Sequence, residues 1–479
     1  MTMDRRTFVR NTALGTLGAS ITAQRVPGAI AGVRRETAWT DGMPINPDID
    51  NMKVVCCHDE KMFTGTPTSV FSTVNKGVDQ NAVSANMDLM AIQLTGKTTA
   101  DAAWKTIFHS GKPWPDTRIV IKINSVEPTH LPRVAVIKKI CDVLVDVMGA
   151  QPANIVVFDG HGNAGGNNKY ANYASLTDPA KIRANISNRF EGVNHTQNIS
   201  IACTRADGTS RTIQAVGPKD FIDGTTDIIV NIAVNKGHDS EFGVGKVTLC
   251  LKNHFGSFLD KENGMAMILH SSEALNGINK TDAIVGGNPV RQQLCIIDSL
   301  LASRKGPGAS PDAAGNGGIP NRLIMGTFAG AVDYCCVKKV REEVNKWTNA
   351  AMNEVALFLT GFGYKETDPV WVEITPTGIT TERVTPVAGS TKVVFTLSQP
   401  SRRNVTVQFE IPSGGTHQLQ TKIFDMRGNL VRELRTPPGV NAVVWDGTRP
   451  DRRPVANGSY VIRLQTGSFS TAERITVIR

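Results

Sequence analysis

The residues best suited to chemistry concentrate in one stretch, residues 227–257. Lys236 and His238 follow an apolar run, Ile228-Ile229-Val230-Asn231-Ile232-Ala233-Val234, with Gly237 between them. Lys252, Asn253 and His254 follow a second apolar run, residues 247–251, ahead of Gly256. Ammonium groups attract carboxylates and phosphates, and crowding between lysines lowers a pKa enough for one to act as a base. Imidazole moves protons near neutral pH, and side-chain amides orient an oxygen. Lys236, His238 and His254 are therefore the candidate catalytic groups. Lys122, Asn124, Lys252 and Asn253 are candidates for holding an anionic ligand, while Asp159 and Asp298 either balance the charge or hold a hard metal. Each has a plainer reading. A single histidine is at least as often a structural hydrogen-bonding group, and lysines past strand ends can be solvated loop residues pointing apart. The functional reading rests on their grouping. No Ser-His-Asp spacing and no H-E-x-x-H zinc motif is present.

The elements that must position these residues are legible from periodicity. The run 228–234 is short, β-branched and flanked by polar residues, so it predicts a buried strand. The run 247–251 is ambiguous: Val247, Leu249 and Leu251 alternate as in a strand, while Val247 and Leu251 also suit one helical face. Residues 52–58 predict a first strand, and residues 79–110 are helical in pattern, with Met87, Met90, Ala91 and Leu94 at helical spacing. Residues 118–124 predict a second strand, ending in Lys122 and Asn124. Pro132 opens a helix whose apolar face carries Val136, Ile140, Val143, Leu144 and Val147 and which Gly149 ends. Residues 154–158 form the next strand, followed by Asp159. Strand, helix, strand in that order implies a parallel βαβ unit. Further strands are expected at 199–204, 212–216, 294–298 and 322–325. In such sheets the carboxyl ends of the strands share one edge, where ligands bind. The glycine-rich residues 159–168 suit either a phosphate cradle or a surface turn, and they match no nucleotide motif. The Gly/Pro/Ala-rich residues 306–320 form a loop too long for a simple connector.

Lys236-Gly237-His238 and Lys252-Asn253-His254-Phe255-Gly256 together resemble the domain-of-unknown-function 362 family, whose members carry a strand ending in Lys-x-His and then Lys-Asn-x-x-Gly. The resemblance covers roughly residues 50–350 and implies an α/β fold. Lys122-Ile123-Asn124 is similar to the family's lysine–asparagine element, with Ile123 where proline is usual, and Asp298 matches a terminal carboxylate. Asp333 fits the first of two aspartates that the family places about a helix start, but Lys338 stands in place of the second. Any divalent-metal role built on that pair is thereby weakened. Asp333 is alternatively the N-cap of a helix running to about Trp347.

The 479 residues suffice for two or three domains. The net charge is +9, of which the first 31 residues supply a third: Arg5, Arg6, Arg10 and Arg25 against Asp4. No dense Lys/Arg block interleaved with aromatics occurs, which argues against a nucleic-acid partner. An anionic small molecule is the natural partner of scattered lysines, and no cofactor is named by any motif. Residues 4–10 resemble a twin-arginine export signal, followed by a weakly apolar stretch too short to span a bilayer and a small-residue cleavage site at 29–31. The export machinery is then a partner, and the expected location is periplasmic, cell-surface or extracellular, with no transmembrane segment. The chain holds 8 cysteines and no C-x-x-C. Cys141, Cys203, Cys250 and Cys295 read as buried thiols; the vicinal pairs Cys56-Cys57 and Cys335-Cys336 read as core packing or, less favoured, as a disulfide or metal site.

From about residue 385 helical periodicity gives way to short strands separated by turns, the pattern of a β-sandwich. The segments 423–431, Trp445-Asp446-Gly447 and Asn457-Gly458-Ser459-Tyr460 resemble the flagellar hook-cap FlgD-type immunoglobulin-like domain and the sorting domains of type IX secretion cargo. The expected organisation is a signal at 1–31, an α/β domain at 50–368, a linker at 369–385 and a sandwich at 386–479. The function expected is that of an exported α/β protein with a Lys/His/Asn pocket for an anionic ligand, with enzymatic activity left open. The alternatives are a non-enzymatic envelope or surface binding protein, with a partner held by the sandwich, and a metal or redox protein using the vicinal cysteines.

Overall fold

The computed structural model describes residues 39–68, 74–124, 130–159, 185–189, 195–204, 208–237, 247–260, 271–304, 317–347 and 355–376, with parts of 378–477. The export signal, His238, residues 160–168 and most of the loop 306–320 lie outside the described residues. Residues 36–479 form one compact unit.

Branched, apolar sequence builds the strands. In chain order they are β1 (Lys53–His58), β2 (Ile119–Ile123), β3 (Ile155–Phe158), β4 (Ser187–Arg189), β5 (His195–Thr204), β6 (Ser210–Pro218), β7 (Ile228–Gly237), β8 (Val247–Thr248), β9 (Leu259–Asp260), β10 (Gln292–Ser303), β11 (Gly317–Gly318), β12 (Arg322–Gly326) and β13 (Val370–Thr375). The order across the central sheet is β13-β1-β12-β10-β7-β2-β3-β4. Strands β10, β7, β2, β3 and β4 are mutually parallel. Strand β12 is reversed against both β10 and β1, and β13 runs parallel to β1. The sheet is thus mixed and mostly parallel. Strands β5, β6 and β9 make a separate antiparallel sheet.

Every residue of β7 and β10 is buried, as expected of strands covered on both faces. Strand alternation divides their side chains. One face presents Ile121, Val157, Val230, Ile232 and Ile296 to helices α1 (Gln80–Thr95), α2 (Ala100–Ile107) and α3 (Val134–Asp142). The other presents Val120, Phe158, Ile229, Ala233 and Ile297 to α5, α6 and α7. These last span Cys250–Asn253, Ser272–Asn279 and Ala329–Cys335, after the short α4 (Lys219–Ile222). Helix α1 is bounded as its sequence dictates: Asp79 accepts from the backbone of Asn81 and Ala82, and Gly96 closes it at φ 69°. Helices α3 and α7 both continue as π-helical turns, Val143–Val147 and Cys336–Val344. The last helix among the described residues is α8 (Leu357–Thr360). No described helix is long and apolar enough to cross a membrane.

Two expectations change here. The run 247–251 is strand only at Val247–Thr248, and from Cys250 it is helix. The stretch 369–385, expected as a linker, instead holds β13, hydrogen-bonded beside β1, with Trp371, Val372 and Ile374 buried. Its prolines and threonines obscured an ordinary strand pattern. The sheet then continues through antiparallel neighbours β14 (Gly378–Arg383), β15 (Phe395–Leu397), β16 (Val405–Gln408) and, last in that order, β19 (Ala442–Trp445). A second antiparallel sheet has the order β18-β17-β20-β21, from Leu430–Thr436, Leu419–Asp425, Gly458–Thr466 and Phe469–Val477. Trp445 of the first sheet meets Tyr460 of the second edge-on, ring centroids 5.6 Å apart.

Candidate functional site

Lys122 is the penultimate residue of β2 and is 1% exposed. Its ammonium donates to Oδ1 of Asp159 at 2.9 Å, to Oδ1 of Asn253 at 2.9 Å and to the carbonyl of Ile123 at 2.6 Å. Three donors meet three acceptors, which is what a buried ammonium requires. Register explains the pairing: β2 and β3 are parallel with Lys122 opposite Phe158, so the next residue, Asp159, reaches it. Burial lowers the Lys122 pKa, while the Asp159 carboxylate opposes that shift.

Asn253 reaches Lys122 because the chain turns helical at Cys250. The cause lies across the core. Asp333 accepts from the backbone N–H groups of Cys250 and Leu251, at 2.8 and 2.9 Å, one on each carboxylate oxygen. These are the orphan donors of a helix start. Asp333 itself lies inside α7, whose N-cap is Phe328, so it caps a neighbouring helix rather than its own. Desolvation pushes its pKa up to about 7 against the pull of those N–H groups.

From Asn253 the polar contacts continue inward. Asn253 Nδ2 donates to Asn231 Oδ1 at 2.8 Å. Asn231 Nδ2 donates to the Cys250 carbonyl and to Gln292 Oε1, both at 2.9 Å. Gln292 Oε1 also meets His254 Nε2 at 2.6 Å, and His254 Nδ1 meets Ser257 Oγ at 3.3 Å. His254 is fully buried, and burial together with the Lys122 charge holds its pKa down at about 3. It stays neutral throughout the range in which a proton shuttle must titrate.

Lys236 belongs elsewhere. Asn231, Ala233 and Asn235 alternate onto the face of Lys122; Lys236 follows Ile232 and Val234 onto the other, beside α3. There Ser303, its register partner on β10, contacts His130 Nδ1 through Oγ at 3.0 Å. Arg133, the N-cap residue of α3, donates its backbone N–H to Asp298 Oδ2 at 2.6 Å and its guanidinium to the Leu131 carbonyl. Burial raises the Asp298 pKa, and Arg133 pulls it down. His130 is pushed well below its ordinary value by burial and then by the charges of Arg133, Lys236 and Arg341. Arg341, from the π-helical turn after α7, donates to Asn235 Oδ1 at 2.7 Å and to the Ser303 carbonyl at 3.1 Å. A register irregularity in β10 between Asp298 and Ala302 lets both residue sets reach this end of the sheet.

The expected site residues therefore divide. Lys122, Asp159 and Asn253 meet directly, and His254 joins them through Asn231 and Gln292. Lys252 is buried on α5, 5% exposed, and Asn124 follows β2, also 5% exposed. Lys236 and Asp298 lie on the opposite face. Asn231, Gln292, His130, Arg133 and Arg341 escaped the sequence reading. Asn231 carried a usable signal, since a lone amide in an apolar run must find a buried partner. The cysteines are buried free thiols, and burial raises the pKa of Cys56, Cys57, Cys335 and Cys336. Among the described residues no cluster of three or more His, Cys, Asp or Glu is arranged to hold a metal.

The family model described as "Domain of unknown function (DUF362)" matches residues 119–338. The matched segment begins at β2 and ends past α7, so it contains the Lys122 group and all of the Lys236 group except Arg341. No curated protein matches the chain. Among solved structures, the crystal structure of dimeric latent PorU from Porphyromonas gingivalis is 19% identical over 21% of this chain and 12% of its own, with a TM-score of 0.16. A likeness that small carries no argument.

Proposed function

We propose that the chain is an exported α/β protein that holds a small anionic ligand, through a carboxylate or phosphate group, where β7 and β10 end. One observation carries this reading. Lys236 on β7 lies opposite Ser303 of β10, whose Oγ meets His130 Nδ1 at 3.0 Å and whose carbonyl accepts from Arg341 at 3.1 Å, while Arg133 donates to the carbonyl of Leu131, next to His130, so basic side chains of three elements converge there. The potential there is positive, and a low-polarity wall strengthens its pull on an anion. Lys236 is the principal ammonium, Lys252 a second, and His238, two residues past Lys236, the proton-transfer candidate. Lys122 and Asp159 neutralise each other and serve as structure rather than as ligand groups. Calorimetric titration with inorganic phosphate and with succinate tests this. Lys236→Gln is expected to weaken binding about tenfold, the worth of one charge-assisted hydrogen bond. Equal affinity in the variant, or no saturable binding of either anion to the native chain, overturns it.

A second reading makes the chain a non-enzymatic binding protein of the envelope or cell surface. The C-terminal antiparallel sheets, with Trp445 against Tyr460, favour it, since they suit a FlgD-type immunoglobulin-like module used for attachment or sorting. Both readings need export through the twin-arginine route. Changing Arg5 and Arg6 to Lys is expected to hold the protein in the cytoplasm; normal export of that variant removes the premise.

A further inference from the structure

The Lys122 network has a direction. A lysine ammonium offers donors only. It can therefore be met by Asn253 only through Oδ1, at 2.9 Å, which turns Nδ2 of that amide toward Asn231 Oδ1. The Asn231 amide is fixed in turn, with its Nδ2 on Gln292 Oε1 and on the Cys250 carbonyl. Gln292 thus presents an oxygen to His254 Nε2 at 2.6 Å, and an oxygen there demands an N–H. Nδ1 is left to accept from the Ser257 hydroxyl. The side chains along this path are all at most 5% exposed, so water does not offer competing orientations.

We propose that Asn253, Asn231 and Gln292 form a directional relay through which the Lys122 ammonium holds His254 as its neutral Nε2–H tautomer. The relay conveys orientation and moves no proton, because amides lie between the two titratable ends. Its members are positioning residues. They tie β2, β7 and β10 to the turn His254–Ser257, and with it to the segment that carries Lys252. The low pKa of His254 agrees with a neutral ring. The inference stands independently of anion binding at Lys236.

Nuclear magnetic resonance of the full chain labelled with ¹³C,¹⁵N-histidine tests it, the His254 signals being assigned by their loss in His254→Gln. One-bond and two-bond couplings distinguish the tautomers. The native chain is expected to show His254 as a single Nε2–H form that does not titrate from about pH 5 to 8. Lys122→Arg keeps a donor-only cation and should retain that form. Asn253→Asp still satisfies Lys122 but cannot donate to Asn231, and is expected to lose the single tautomer. A native Nδ1–H or protonated ring overturns the proposal, and so does an unchanged tautomer in Asn253→Asp. The native spectrum decides even where a variant fails to fold.

Discussion

The polar groups around Lys122 and Lys236, two lysines on opposite faces of the sheet, handle buried charge differently. Around Lys122 the ammonium has three acceptors, and carboxylate, amides and imidazole form one chain of short bonds. Around Lys236 cations gather on a neutral imidazole, with Asp298 turned to the backbone of Arg133. The first arrangement consumes its polarity internally and so fixes the shape of the core. The second is the group on which the proposed anion site rests.

The contrast can be broken most forcefully at Lys122. Lys122→Ala leaves Asp159 charged in the core, and such a loss costs about 3–5 kcal/mol. Urea denaturation should show it as a lower midpoint, whereas Lys236→Met should stay within about 1 kcal/mol of native. Equal losses would erase the distinction between the two groups.

A smaller effect separates the capping of α5 from both. The folded pKa of Asp333 is raised to about 7, so the folded state keeps a proton that the unfolded chain releases at an ordinary carboxylate value. The stability linked to this proton is present in full below about pH 4 and is lost as pH rises through about 7. Its size is on the order of a few kcal/mol. Asp333→Asn removes the titration, so the difference between native and variant stability should change between about pH 5 and 8. A pH-independent difference would show that the carboxylate titrates below this range.

The smallest effect sharpens the comparison at His130. Lys236 is one of the charges that lower its pKa. Lys236→Met should therefore raise the His130 pKa, measurable by histidine resonance titration, and leave His254 unmoved. A shift at His254 instead would mean that the two faces are electrically joined.

The sequence determined most of the elements. Apolar runs at 119–123, 155–158 and 228–234 are strands because branched residues buried on both faces have few other options. Asp79 and Gly96 mark the ends of α1 by local chemistry alone. It also located Lys122 and Asp159, since residues ending parallel strands share an edge, whereas Asn253 joins them from the end of α5. What it could not supply was the assignment of face and partner. Lys236 and Lys122 look equivalent as lysines after apolar runs, yet the period of two in β7 and the register of β2 send them to opposite sides of the sheet. Asp333 reads as a local N-cap, and only packing of α7 against α5 gives its carboxylate the N–H groups of Cys250 and Leu251. Trp371 to Ile374 became a strand because β1 offered a free edge to pair with. Local conformation follows from short-range sterics and hydrogen bonding. Which buried donor meets which acceptor depends on residues tens to hundreds of positions apart, and that the tertiary structure decided.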